Sequence, residues 1–247
     1  MFLRILALGG VALTLAACMT SNPSDNAGQV SDVAPDEQRL AMQSACEAPE
    51  SDPETAIAAC SALINAGGDD QLLAYAYSNR GARHAILGNH RPAISDFSRS
   101  LALVPDAVTY RNRGTSYAQR RQYEAAIQDF DQAVSLDPNY GFAYADRGYS
   151  FFFLGDYGRA IDDLNTAISL DPNDFRAYYN RGRAYCRVGY QDQALADWLH
   201  SYELRDAENL RREQEWLTLR GFYVGPLDGT LNAELRRAAT RRADLEC

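Results

Sequence analysis

Four arginines, Arg80, Arg113, Arg147 and Arg181, are each followed sixteen residues later by an aspartate: Asp96, Asp129, Asp163 and Asp197. A planar guanidinium and a carboxylate are shaped for bidentate pairing. Such a row of charges either grips a ligand or is a structural ion pair built into each copy of a repeated framework, and recurrence with the framework favours the ion pair. Just ahead of each arginine stands Asn79, Asn112, Asp146 or Asn180. An amide both donates and accepts, so it can read an extended main chain whatever its sequence, or bond to neighbouring helices. Patterns for turnover are missing. His84, His90 and His200 stand far apart, and there is no HExxH, GxSxG or phosphate-loop spacing. Asp162 and Asp163 are adjacent, and adjacent helix positions do not converge on one substrate atom. The expectation is a binding protein with no catalytic residue, no cofactor and no metal.

These residues need elements to position them, and the spacing supplies them. The dipeptide Arg-Gly recurs at Arg80, Arg113, Arg147 and Arg181 with intervals of 33, 34 and 34 residues. That period belongs to helix-turn-helix solenoids. Each unit reads as a first helix carrying the glycine, a turn near Gly88, Gln122, Gly155 or Gly189, and a second helix opening on Ala93, Ala126, Ala160 or Ala194. Pro105, Pro138 and Pro172 stop three of the second helices, and Asp206 stands in that place in the last. Aromatics recur at Tyr77, Tyr110, Tyr144 and Tyr178, and large apolar residues at Phe97, Phe130, Leu164 and Trp198.

Over residues 71–206 this pattern resembles the tetratricopeptide repeat (TPR) family. The resemblance implies an all-α, right-handed TPR superhelix of about five helical hairpins, capped by a C-terminal helix-loop-helix. It also implies a concave face lined by Tyr75, Ser78, Arg111, Gln119, Tyr149, Phe152, Phe153, Tyr179, Arg183 and Arg187. The residues ahead of the arginines would face that groove, as asparagines do in the O-GlcNAc transferase family, where they grip peptide backbone. Three adjacent aromatics, Phe151, Phe152 and Phe153, cannot all enter one core. Phe151 takes the core position, which leaves Phe152 and Phe153 for the groove or the next repeat.

The chain opens with Arg4 ahead of an apolar run over residues 5–17, too short to span a bilayer and laid out as a secretory signal. Leu15-Ala16-Ala17-Cys18 resembles the bacterial lipobox, which implies cleavage and lipidation at Cys18; a plain signal with an incidental cysteine is the alternative. Met19 is not the aspartate that favours inner-membrane retention by family analogy, so the resemblance implies an outer-membrane lipoprotein facing the periplasm. Residues 18–35 are rich in Ser, Asn, Asp, Gly and Pro and read as a tether. Residues 36–70 read as a degenerate first hairpin, since aligning Ala56 with Ala93 places Cys60 where Phe97 stands. In an oxidising compartment Cys46 and Cys60, on opposite arms of that hairpin, are expected to pair. A bridge between Cys186 and Cys247 is left open, because sequence cannot establish its geometry.

Residues 207–247 read as two helices, about 210–220 and 232–242, around a turn with Gly221, Gly225, Pro226 and Gly229. The order Arg220-Gly221-Phe222-Tyr223, Gly225-Pro226, Asp228-Gly229 resembles the peptidoglycan-binding domain-like family. The resemblance implies a glycan or peptide-stem contact through Tyr223 and Asp228; a module that only caps the solenoid is the other reading. A formal charge of −9 argues against nucleic acid as partner, although arginines crowd between Arg205 and Arg242. Together these readings describe a lipid-anchored envelope scaffold that docks a protein or peptide. The alternative is a peptidoglycan-binding lipoprotein whose repeats are a spacer.

Overall fold

The computed structural model describes residues 35–48 and 52–247. The signal-like run and Cys18, expected to carry lipid, lie outside the described residues, as does the tether but for its last residue, Pro35. Among the described residues there are twelve α-helices and no strand: α1 (Pro35–Glu47), α2 (Pro53–Ala66), α3 (Asp70–Ile86), α4 (His90–Leu103), α5 (Ala107–Gln119), α6 (Tyr123–Leu136), α7 (Gly141–Phe153), α8 (Tyr157–Leu170), α9 (Phe175–Arg187), α10 (Gln191–Glu203), α11 (Ala207–Leu219) and α12 (Ala233–Glu246). Each helix up to α10 packs on its sequence neighbours, and α1, α3, α5, α7 and α9 touch in series. The result is an all-α TPR superhelix of five hairpins with α11 and α12 beyond the last.

Local chemistry sets the helix ends. Asp52, Asp69, Asp106, Asp156, Asp174, Asp206 and Asn232 stand at N-caps, each accepting from a backbone N–H of the first turn. The turn inside a hairpin needs a left-handed residue, supplied by Gly88, Gly155 and Gly189. In the second full repeat that residue is Arg121, at φ 59°, while Gln122 is the N-cap of α6. The turn thus falls one residue earlier than expected, because here no glycine marks the left-handed position.

Inside each full repeat the two helices cross at a glycine. A Cβ on Gly148 would lie 3.0 Å from Leu164 Cγ and 3.1 Å from the Ala160 carbonyl oxygen, and Gly81, Gly114 and Gly182 are equally crowded. The arginine register holds the same crossing. Arg80, Arg113, Arg147 and Arg181 each place Nε and Nη2 on the two carboxylate oxygens of Asp96, Asp129, Asp163 and Asp197, at 2.7–2.8 Å. Nη1 reaches back to the preceding hairpin, to Ser61, Ser98, Asp131 and Asn165. Each arginine is therefore a three-way staple within and between units. Its guanidinium also lies 5.4–5.6 Å from the ring of Tyr77, Tyr110, Tyr144 or Tyr178.

Two disulfides pin the ends. Cys46 and Cys60 join α1 to α2, and Cys186 and Cys247 join α9 to the residue after α12. The last two helices also bury Trp198 and Tyr202 of α10 under Leu210, Leu217, Phe222, Tyr223, Leu235 and the alanines of α12. Helices 11 and 12 extend beyond the ranges expected for them, starting at Ala207 and ending at Glu246.

Candidate functional site: the concave groove

The first helices of the hairpins line the concave face, and their side chains differ sharply along it. At the N-terminal end the face is small and polar: Ser78 Oγ meets Thr109 Oγ1 at 2.9 Å, and Asn79 donates to the carbonyl of Tyr75, in its own helix. Further along, Arg111 Nε donates to Asp146 Oδ2 at 2.7 Å, and Thr115 adds a second donor to that oxygen. Burial opposes the charge on Arg111, but Asp146 outweighs it and keeps the guanidinium pKa above its ordinary value. Arg111 and Arg176 each stand 5.5 Å from the ring of Phe142, which is 42% exposed. A cavity of about 190 Å³ opens here between α5, α7 and α9, with Thr115, Gln119, Asp146, Tyr149 and Asn180 in its lining.

Toward the C-terminal end the face becomes aromatic. Tyr123 and Phe153 stack with centroids 5.0 Å apart, Tyr149 meets Phe153 edge-on at 4.7 Å, and Phe152 meets it at 5.4 Å. Phe151 is buried in the repeat core and Phe153 is 42% exposed. The three adjacent phenylalanines thus divide between core and groove. Arg183 lies 4.3 Å above Phe152 and 5.4 Å from Phe153.

The four positions ahead of the arginines do not form a uniform amide ladder. Asn79 is bonded to its own helix, Asp146 is paired with Arg111, and Asn180 accepts from Arg183 at 3.3 Å. Asn112 lines an adjoining cleft, with Ile86 and Phe97, that shares Thr115 and Gln119 with the cavity between α5, α7 and α9. Tyr179 is drawn from the groove floor into the last interface, where its hydroxyl accepts from Arg242 at 3.3 Å. Tyr223, expected at a glycan contact, is buried in the structure. That side chain is 1% exposed, and its hydroxyl donates to the Pro226 carbonyl while accepting from Asn232. Asp228 folds the same turn, its Oδ1 accepting from Thr230 N, Thr230 Oγ1 and Gln214. The turn lies so close to α11 that a Cβ on Gly229 would overlap the Ala207 carbonyl. Packing of the module fixes Tyr223 inward, while Asp228 stays at the exposed surface of the turn.

Residues that sequence reasoning did not place in the groove are Phe142, Tyr123 and Arg176. Phe142 and Arg176 occupy, in their units, the place of Tyr75, one helical turn before the asparagine position, and that offset was the available signal. Tyr123 opens a second helix and had none.

The glycine crossings, the arginine staples and the concave face define a protein of the TPR superhelix class. Family models agree over part of the chain: a tetratricopeptide repeat model matches residues 107–140 and a TPR repeat model matches residues 148–189. Among solved structures, a crystal structure of MamA protein aligns with a TM-score of 0.60 at 22% identity, covering 77% of this chain and 100% of that one. The MamA RS-1 ArsTM double mutant aligns at 0.61 and 19% identity, over 68% of this chain and 94% of that chain. MamA 41-end from Desulfovibrio magneticus RS-1 aligns at 0.59 and 21% identity, over 68% and 92%. The likeness is one of fold. No curated protein sequence matches the chain.

Proposed function

We propose that this protein is a cell-envelope scaffold, anchored by lipid at Cys18 in the outer membrane and facing the periplasm, that docks a stretch of another protein in its concave groove. The observation that carries the docking reading is the shelf of Tyr123, Tyr149, Phe152 and Phe153 on the concave face. Phe130, Phe151 and Leu164 fill the core and Phe152 packs against it, but Phe153 is 42% exposed on the shelf. Rigid aromatic surfaces give large contact area for little lost side-chain entropy, and they are enriched where proteins bind. Two disulfides support an oxidising compartment, and Leu15-Ala16-Ala17-Cys18 supports the anchor. Function rests on docking, with no reaction assigned to the chain.

A random dodecapeptide display library panned against the purified protein tests the docking. Peptides should be retained by the parent and lost from a Tyr149→Ala, Phe153→Ala double variant that keeps the parent's far-UV ellipticity. A parent that retains nothing, or a double variant that retains the same peptides, overturns the reading. Cys18→Ala should move the protein from the membrane fraction to the soluble periplasm, and continued membrane association would remove the anchor.

A further inference from the structure

Beyond the aromatic shelf the groove runs into a pocket of about 450 Å³ between α9, α11 and α12. Four arginines line it, Arg183, Arg187, Arg220 and Arg242, against one glutamate, Glu246. Glu246 is already shared, accepting from Arg220 at 2.6 Å and from Arg242 at 2.9 Å. Arg242 is further held by Glu213 at 3.5 Å and by Trp198 and Trp216, whose rings lie 4.1 and 4.6 Å from its guanidinium carbon. Among the described residues Arg183 and Arg187 have no such partner. Arg183 Nη1 meets only the neutral Asn180 amide, and Arg187 stands 5.4 Å from the ring of Tyr157. This cluster faces the groove in a chain whose net charge is −9.

The balance of charge shows in the guanidinium groups themselves. For Arg80, Arg113, Arg147 and Arg181 the aspartate hydrogen bonds outweigh burial and raise the pKa. Arg183 is pushed the other way, by burial first and with Arg242 adding repulsion. A largely desolvated cation without a counter-ion is unfavourable, and a carboxylate brought in by a ligand would remove that penalty. The planar fork of Arg183 can also take a carboxylate through Nε and Nη2, which hold no acceptor among the described residues.

We infer that this pocket is the acid-reading end of the groove: it takes an aspartate or glutamate side chain of the docked peptide, next to an apolar or aromatic residue that lies on Phe152 and Phe153. The acid meets Arg183 and Arg187. Arg220 and Arg242, contributed by the helices beyond the repeats, set the positive potential at the pocket's far wall. The acidic remainder of the chain repels such a segment, so charge also sets its direction along the groove.

This inference rests on the docking reading, and one set of peptides separates the two. Peptides retained in the panning described above should be enriched in Asp or Glu beside an aromatic or aliphatic residue. Arg183→Gln and Arg187→Gln should each weaken such peptides about tenfold while leaving their Asn and Gln counterparts unchanged. Among the described residues neither arginine makes an ion pair, so neither variant should melt below the parent. Trp198 and Trp216 are the only tryptophans and both line the pocket, so their emission should change saturably on adding an acidic peptide, less so as salt rises. Retained peptides without acids, or acidic peptides indifferent to both substitutions, overturn the acid-reading pocket and leave docking intact. An equal, competing change with inorganic phosphate at matched ionic strength would make it a small-anion site and also overturn it.

Discussion

Cys247→Ser asks whether α11 and α12 act as a cap clamped to the last repeat. The bridge from Cys186 spans 61 residues and encloses α10, α11 and α12. Releasing a loop of that length returns about 4 kcal/mol of conformational freedom to the unfolded chain. The folded cap should nevertheless persist, because Trp198, Tyr202, Leu217, Tyr223 and Leu235 remain packed together without the bridge. Solenoid units are coupled only to their neighbours, so the loss should concentrate at this end of the chain. The two tryptophans sit in this end and report it by fluorescence, while far-UV ellipticity reports every helix. In a unit of about 60 residues each kcal/mol moves the melting midpoint by about 4–8 °C. The fluorescence midpoint should therefore fall by about 15–30 °C under non-reducing conditions, and the ellipticity transition should broaden toward two steps. A fluorescence midpoint within about 3 °C of the parent, or a single transition shifted equally by both probes, would refute the cap as a separately stabilised end.

Four other substitutions test the framework. Asp129→Ala leaves Arg113 without its carboxylate at a site where the two side chains are 6% and 19% exposed, and should cost about 3 kcal/mol in urea denaturation. Asp131→Ala, at a half-exposed partner of Arg147, should cost less than about 0.5 kcal/mol, so equal losses would sink the staple argument. Gly148→Ala should cost about 1–3 kcal/mol by the same measurement, since the new methyl meets Leu164 and the Ala160 carbonyl; a neutral result would mean that the helices can part there freely. Arg121→Gly should stabilise by about 0.5–1 kcal/mol, read as a rise in melting midpoint, because φ 59° is strained for arginine and easy for glycine.

Much of the fold was legible because the repeat writes the same contact into every unit. A glycine under a large apolar residue and an arginine sixteen residues before an aspartate are each visible as a spacing. What was hidden lies where residue types vary or direction matters. The third donor of each staple ends on Ser61, Ser98, Asp131 or Asn165, so no single residue type repeats for a reader to find. The left-handed turn at Arg121 lacks its usual glycine and was placed one residue late. Tyr223 stands in a recognisable motif, but residue order does not say which way a hydroxyl faces, and here it faces in. The arginine pocket joins Arg183 and Arg187, one turn apart on α9, to Arg220 and Arg242 from outside the repeats. No spacing rule spans that junction, because its angle is set by packing of α12 on α10 and by the second disulfide.

The cap explains why the last repeat departs from the others. Where the third full repeat buries Leu164 and partly buries Ile168, the fourth carries Trp198 and Tyr202, both essentially fully buried. A further repeat would cover the aliphatic pair with one helix of matching curvature. Two shorter-range partners, α11 and α12, cover this face instead, and the larger rings fill the space between them. The polar groups follow the same logic. Tyr202 donates to Glu213, Glu213 also accepts from Arg205, and Arg242 lies between the rings of Trp198 and Trp216. With Glu213 and Glu246 of the cap committed to Arg205, Arg220 and Arg242, neither pairs with Arg183 or Arg187 on the facing helix. Closing the solenoid therefore also charges the end of its groove: the same packing that hides Trp198 and Tyr202 leaves two arginines turned toward whatever lies on the aromatic shelf.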